Sequence, residues 1–134
     1  MKQNQQVREL LDEARTIAVV GLSAKPDRPS FQVACYMQEQ GYRIIPVNPG
    51  LKECLGEKAY NSLKDIPGPV DIVDIFRRSE DVPPVVEDAV AIKAKAVWMQ
   101  SGIINQKAAA MAESAGLKVV MDRCIMVEHR NLKD

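Results

Sequence analysis

The residues best suited to chemistry in this chain lie in one loop, residues 21–30, which reads Gly-Leu-Ser-Ala-Lys-Pro-Asp-Arg-Pro-Ser. Five of them can serve an anion: Gly21, Ser23, Lys25, Arg28 and Ser30. The glycine permits a tight turn, the hydroxyls donate hydrogen bonds, the lysine supplies a point charge and the arginine a planar fork that matches phosphate. Because the loop runs into a helix start, the helix dipole favours the same anion. We predict a phosphate contact here; the competing interpretation is a capped helix with two solvated basic residues.

A second group follows the apolar run at residues 42–47. Proteins that bind NAD usually carry an acidic residue after this strand to hold the ribose diol, and Asn48 lacks that charge. Gly21 is also followed by neither further glycine of the dinucleotide fingerprint G-x-G-x-x-G. Both features weigh against NAD. Pro49 offers a stiff wall for an adenine or a ribose, or else belongs to a plain Asn-Pro-Gly turn.

Two further loops carry candidate ligand contacts. Phe76 and Arg77, followed by Arg78, place an aromatic ring beside two guanidiniums, a combination suited to an adenine ring and phosphates. The arginines could equally be solvated or answer nearby carboxylates. Gln100 and Gly102 follow the run 96–99 and are expected at the same edge of the fold.

Catalysis has weaker support in the sequence. Cys124 and His129 lie five apart, which is a poor spacing for sharing a helix face, and no third orienting group is evident. Asp71 and Asp74 point to opposite faces of a regular strand and do not form an acid/base pair; Asp74 is a candidate for shaping the ligand edge. We expect no catalytic residue and no metal site.

The elements that position these residues alternate between strand and helix. Strands are predicted at 16–20, 42–47, 70–76, 96–99 and 117–121, and helices at 4–14, from 29 to about 40, from 79 to about 92, and at 105–115. Residues 51–69 are predicted as a connection with one helical turn, and 122–134 as a short helical or irregular tail that the strand order does not bring near the ligand loops. This order predicts an α/β fold: one domain over residues 1–134, with a doubly wound, parallel, five-stranded, Rossmann-like sheet and helices on both faces. The carboxyl ends of its strands gather the loops 21–30, 48–51, 76–79 and 100–102.

Composition excludes several classes of function. Of 134 residues, 18 are basic and 18 acidic, so the chain lacks the excess positive charge of a general nucleic-acid binder. No apolar run is long enough to span a bilayer, and the first residues lack the apolar core of a signal peptide. The three cysteines form no C-x-x-C pair, which favours reduced thiols in the cytoplasm.

Four ordered motifs give the chain a resemblance to a known family. They are Gly-Leu-Ser-x-Lys-x-x-Arg-x-Ser, Tyr-Arg-Ile-Ile-Pro-Val-Asn-Pro, Val-Asp-Ile-Val-Asp-Ile-Phe-Arg-Arg and Asp-Arg-Cys-Ile-Met-Val-Glu-His-Arg. From about residue 16 to 132 the sequence resembles the small stand-alone CoA-binding domain proteins, which are similar to the N-terminal domain of the succinyl-CoA synthetase α subunit. The resemblance implies coenzyme A or an acyl-CoA as ligand.

The resemblance also implies roles for individual residues. Those that would hold the phosphates are Gly21, Leu22, Ser23, Lys25, Arg28 and Ser30. Val47, Asn48 and Pro49 would border the adenosine. Phe76 and Arg77 would line the same groove, with Gln100 and Gly102 beside the path of the pantetheine arm.

The expected function is binding without chemistry. In the synthetase, the phosphorylated histidine belongs to a second domain, whereas the single histidine here, His129, lies in the predicted tail. Two other functions stay open. One is an NAD(P)-dependent or acyl-CoA-transforming enzyme that uses Cys124; the other is an interaction protein that senses an acyl-CoA and passes that state to a protein partner.

Overall fold

The computed structural model describes residues 2–133. The strands are β1 (Thr16–Val20), β2 (Arg43–Val47), β3 (Glu53–Cys54), β4 (Glu57–Lys58), β5 (Ile72–Ile75), β6 (Ala96–Met99) and β7 (Lys118–Val120). The helices are α1 (Lys2–Glu13), α2 (Pro29–Glu39), α3 (Val82–Ala91), α4 (Gln106–Ser114) and α5 (Ile125–Lys133), and single 3₁₀ turns cover Leu63–Asp65 and Ser79–Asp81. All five predicted strands are present, and β1 and β6 have the predicted bounds.

Five strands form one parallel sheet in the order β2-β1-β5-β6-β7. The chain first adds β2 on one side of β1 and then crosses to add β5 on the other, so the order reverses between β1 and β5. This confirms the predicted Rossmann-like sheet. Because Pro46 has no N–H to give to a second neighbour, β2 suits the edge position that it occupies.

Helices cover both faces of the sheet, as predicted. Ile17 and Val19 of β1 pack with Ile72 and Trp98 beneath α1, α2 and α5. The alternate residues, including Val20 and Ile75, pack beneath α3 and α4. Because β1 is covered on both faces, its residues Ile17 to Val20 form a continuous apolar run instead of an alternating one.

A small hairpin interrupts the predicted connection 51–69. Strands β3 and β4 pair antiparallel, and the two residues between them, Leu55 and Gly56, have φ of 55° and 77°. A two-residue turn with two positive φ angles fits the twist of a hairpin but usually carries Asn or Asp before the glycine. Leu55 lacks that signal, and two-residue strands are too short to show an alternating pattern.

The predicted tail is a helix, α5, and its start is fixed at the carboxyl edge. The indole Nε1 of Trp98 donates to the carbonyl of Arg123 at 2.8 Å, and the N–H of Ile125 donates to Oε1 of Gln100 at 3.1 Å. The N–H of Gly102 donates to Oδ1 of Asp122 at 2.6 Å. The expectation that this segment stays apart from the ligand loops is therefore wrong for its first residues, which lie against the loop 100–102.

Asp71 binds neighbouring segments of the chain at the amino edge of the sheet. Its Oδ2 accepts from the N–H groups of Arg15 and Thr16 at 2.8 and 3.0 Å, and its Oδ1 lies 3.4 Å from Nζ of Lys95. Burial acts to raise the pKa of Asp71, but these N–H groups and Lys95 outweigh it and hold the pKa below its usual value. Asp71 therefore joins α1, β1 and β6 as a charged group.

No helix within residues 2–133 combines the length and the apolar character needed to cross a membrane.

Candidate functional site

The carboxyl ends of β1 and β5 flank the point where the strand order reverses. In open α/β sheets, ligands bind in the crevice at this position. The loop leaving β1 leads into α2, and the loop leaving β5 begins with Phe76. The two loops meet at Gly21.

Gly21 is required by the close approach of these loops. Its φ is +90°, and a Cβ added to it would lie 2.2 Å from the carbonyl oxygen of Phe76. The backbone N–H of Gly21 donates to the carbonyl of Val47 at 2.9 Å, so the glycine also ties the loop to β2. Any side chain at this position would push the β1 and β5 ends apart.

Two serines shape the loop after Gly21. The N–H of Ser23 donates to Oγ of Ser30 at 3.0 Å, and the N–H of Lys25 donates to Oγ of Ser23 at 3.1 Å. Ser30 is buried at the first turn of α2, where its hydroxyl accepts this bond and keeps its own hydrogen for donation. The loop is thereby folded back onto the start of α2.

The resulting space, which we call the Gly21 cleft, has a volume of about 350 Å³. Its lining includes six predicted residues: Gly21, Ser23, Lys25, Arg28, Ser30 and Phe76. None of its lining residues is acidic, and within residues 2–133 neither Lys25 nor Arg28 forms an ion pair. The cleft therefore carries two cationic side chains that have no ion-pair partner among these residues, and Asp27, which lies between them in sequence, is not part of its lining.

The first turn of α2 faces this cleft without a side-chain cap. The N-cap residue, Arg28, forms no capping hydrogen bond, and Pro29 supplies the first helical position. By contrast, α4 is capped by Asn105, whose Oδ1 accepts from the N–H of Ala108 at 2.9 Å. The amide groups at the start of α2 and its dipole are therefore available to an anion.

Three predicted residues support the loop from beside or beneath it. Leu22 is fully buried. Nδ2 of Asn48 donates to the carbonyl of Leu22 at 3.0 Å, and its Oδ1 accepts from the N–H of Gly50 at 3.0 Å. Pro49 is exposed in the turn between them. Both ends of the Asn48 amide are thus used to brace the two loops.

Phe76 and Arg77, which are expected to line one groove, line two separate clefts in this structure, and a ligand contact shared by them stays a prediction. Phe76 lines the Gly21 cleft, whereas Arg77 lines a separate cleft of about 110 Å³, which we call the Arg77 cleft. The two residues lie on opposite faces of the sheet, because Phe76 packs against the core beneath α1, α2 and α5 whereas Arg77 lies beside Val20 and Val47 of the core beneath α3 and α4. The predicted residue Val47 lines the Arg77 cleft.

The structure does not bring Gln100 and Gly102 into either cleft. Gln100 is buried and holds the start of α5, and Gly102, exposed with φ of +82°, binds Asp122. Their position at the end of β6 agrees with the predicted edge, and a contact with ligand stays a prediction.

Asp74 has an environment that the sequence did not reveal. It lies in β5 opposite Val19 and Trp98, is 1% exposed, and its Oδ1 has no hydrogen-bond partner within residues 2–133. Burial raises the pKa of Asp74 well above its ordinary value. The side chain lies on the face of the sheet that α1, α2 and α5 cover, and it does not line the Gly21 cleft.

The contacts of His129 indicate a structural role. Nδ1 of His129 lies 2.9 Å from the hydroxyl of Tyr36, and the imidazole packs edge-on against Tyr36 and Tyr42. His129 therefore joins α5 to α2. In residues 2–133, no three His, Cys, Asp or Glu side chains cluster as a metal site requires.

Comparison with known proteins identifies a matching family and several relatives. A family model described as "CoA binding domain" matches residues 15–130. The uncharacterized protein YneT of Bacillus subtilis is 49% identical over 124 residues, which cover 92% of each chain. A hypothetical protein from Pyrococcus horikoshii has a solved structure with a TM-score of 0.94 and 40% identity, covering 98% of this chain and 92% of that one.

A further relative is an enzyme subunit. The α subunit of an ADP-forming acetate–CoA ligase from Pyrococcus furiosus is 44% identical over 62 residues. That match covers 46% of this chain and only 14% of the ligase subunit. The similarity therefore concerns a small part of that subunit.

Proposed function

This chain belongs to the CoA binding domain family, and we propose that it binds coenzyme A or an acyl-CoA at the carboxyl edge of its sheet without chemistry of its own. The observation that carries the proposal is the Gly21 cleft. There, two cations that form no ion pair within residues 2–133 meet a glycine backbone and a helix start without a side-chain cap. This donor set suits the diphosphate of coenzyme A.

The residues around Asn48 favour coenzyme A over NAD. A carboxylate after the second strand commonly holds the ribose diol of NAD, and the amide here is already bonded to Leu22 and Gly50. We place the adenosine beside Val47, Asn48 and Pro49. We place the pantetheine arm along the neighbouring strand end, toward Gln100 and Gly102.

The cysteines support a location for the protein. Cys35, Cys54 and Cys124 are free thiols, as expected in a reducing compartment, and we propose that the protein is cytoplasmic.

Calorimetric titration with coenzyme A, dephospho-CoA, NAD and ATP tests the proposed ligand. We expect Arg28→Ala to weaken coenzyme A binding by about ten- to a hundredfold, because a charge-assisted hydrogen bond contributes about 1.5–3 kcal/mol. The free energy of unfolding should stay within about 0.5 kcal/mol of the wild type, because Arg28 is exposed and forms no ion pair within residues 2–133.

Arg43→Ala is the matched control, since Arg43 is also exposed but lies at the opposite edge of the sheet. It should leave coenzyme A binding unchanged. Tight binding of NAD without binding of coenzyme A, or equal effects of the two arginine substitutions, would contradict the proposal.

A further inference from the structure

Asp74 lies beneath the Gly21 cleft, one step back from its wall. The residue stands in β5 between its register partners Val19 of β1 and Trp98 of β6, on the face that α1, α2 and α5 cover. Phe76, two residues further along the chain, lies on the same face and lines the cleft. Residues two apart along a strand are separated by about 7 Å. A charge on Asp74 is therefore close enough to act on an anion bound in the cleft.

The carboxyl group of Asp74 has no structural role in the part of the chain that the structure describes. Its Oδ1 has no hydrogen-bond partner, the residue is buried, and it joins no ion pair. Asp71, just before the same strand, instead binds two backbone N–H groups and Lys95. A buried polar group without a partner lowers stability, and such groups are uncommon in native proteins. Asp74 is therefore a candidate for a functional role.

The titratable side chains on this face of the sheet are two phenols, two thiols and an imidazole: Tyr36, Tyr42, Cys54, Cys124 and His129. Burial raises the pKa of Tyr42 and of Cys54, which keeps both uncharged at neutral pH. On α5, Arg123 and Glu128 pair with each other at 3.2 Å. The other charged side chains of α1, α2 and α5 whose burial is described are exposed: Arg8, Glu9, Asp12, Glu13, Glu39 and Arg130.

The charges above Asp74 are those of the Gly21 cleft. Lys25 and Arg28 line that cleft and form no ion pair within residues 2–133. Their positive charge favours a negative charge beneath the cleft. A diphosphate bound between them cancels this effect and adds negative charge of its own. The bound anion and an ionised Asp74 therefore oppose each other, whereas a neutral Asp74 does not oppose the anion.

We propose that Asp74 couples the binding of coenzyme A to the uptake of a proton. The inference rests on the proposed function, because the diphosphate in the Gly21 cleft supplies the negative charge that acts on Asp74. Burial already raises the pKa of Asp74, and the bound ligand raises it further. By linkage, the affinity for coenzyme A falls as the pH rises through the pKa of the empty protein, and it becomes constant above the pKa of the complex.

Calorimetric titration with coenzyme A from about pH 5 to about pH 9 measures this coupling. We expect the wild type to bind about tenfold more weakly at the upper end, which corresponds to a rise of about one unit in the pKa of Asp74 on binding. Titrations in buffers with different enthalpies of ionisation give the proton uptake, which should reach roughly half a proton per ligand between the two pKa values.

Asp74→Asn isolates the contribution of this residue, because coenzyme A itself titrates equally with both proteins. The variant should lack that part of the proton uptake and bind coenzyme A about tenfold more tightly than the wild type at about pH 9. Asp71→Asn is the matched control at the opposite edge of the sheet and should keep the behaviour of the wild type. His129→Gln removes a side chain whose ordinary pKa lies in the tested range, and it should also keep the uptake.

A carbon-13 NMR titration of the aspartate carboxyl groups reads the pKa of Asp74 in the unaltered protein. The signal that disappears in Asp74→Asn identifies the residue. Its midpoint should rise by about one unit when coenzyme A is saturating. Urea unfolding establishes that each variant is folded.

The outcomes distinguish this inference from the proposed function. If the wild type and Asp74→Asn bind coenzyme A with the same proton uptake, or if the midpoint of Asp74 does not move on binding, only this inference fails. Loss of the uptake in His129→Gln would assign the proton to the imidazole and would also overturn it. If the wild type does not bind coenzyme A at any pH, both proposals fail together.

Discussion

At the amino edge of the sheet, Asp71 is bonded to two backbone N–H groups and to Lys95, whereas at the carboxyl edge Lys25 and Arg28 have no carboxylate partner within residues 2–133. The charges of the first edge hold helix, strand and turn together. Lys25 and Arg28 of the second edge form no such ion pair within residues 2–133. Open α/β sheets bind their ligands at the carboxyl edge, where the loops converge. Charged side chains there that form no structural ion pair can bind a ligand instead.

The largest expected effect comes from Gly21→Ala, which should impair both stability and binding. The new Cβ would lie 2.2 Å from the carbonyl oxygen of Phe76, so the free energy of unfolding should fall by about 3 kcal/mol and coenzyme A binding should be lost. Gly41→Ala is the control: its φ of +101° is equally unusual, but its Cβ meets open space, so about 1 kcal/mol and no affinity should be lost. Urea unfolding and calorimetry measure both quantities. Unchanged coenzyme A affinity in Gly21→Ala would remove Gly21 from the site.

Asp74→Asn should stabilise the protein, and the gain should depend on pH. The pKa of Asp74 is raised by burial in the folded state, above the value of about 3.9 in an unfolded chain. At about pH 4 the buried carboxyl therefore does not lower the free energy of unfolding of the wild type. Its unfavourable contribution increases as the pH rises toward the folded pKa. We expect the variant to exceed the wild type by about 2 kcal/mol at about pH 8 and by nothing at about pH 4. Urea unfolding across this range tests it; a difference independent of pH would contradict the assignment.

Asp71→Asn should have a smaller effect of the opposite sign. The pKa of Asp71 is lowered in the folded state, so its carboxylate stabilises the protein above the unfolded value of about 3.9 and that contribution is lost as the pH falls through the folded pKa. The variant should lose about 1 kcal/mol at about pH 7 and match the wild type in strong acid. Its affinity for coenzyme A should equal that of the wild type. Weaker binding of coenzyme A by this variant would contradict the structural role assigned to the amino edge.

The fold was accessible from the sequence because its strands are buried on both faces. Runs such as residues 17–20 and 96–99 are apolar at every position and are bounded by polar residues, so their limits are clear. The hairpin of β3 and β4 was missed, since Leu55 replaces the Asn or Asp that usually signals its turn. The helical character of α5 was left open, because what fixes its start is a set of contacts with Trp98 and Gln100 from a distant strand.

The site was only partly accessible from the sequence. The phosphate-type residues follow one another along a single loop, and the structure gathers them in one cleft. Phe76 and Arg77 are adjacent in sequence, but the structure places them in clefts on opposite faces of the sheet, which their order along the chain does not indicate. The burial of Gln100 and Asp74 depends on α5 and on neighbouring strands, and no local pattern reports such long-range packing.

Trp98 gives the molecule a natural optical reporter. It is the single tryptophan of the chain, it is fully buried, and its indole N–H holds the backbone just before α5. The emission of this indole therefore registers whether the last helix is seated on the sheet, and that seating can be followed in time without attaching any dye.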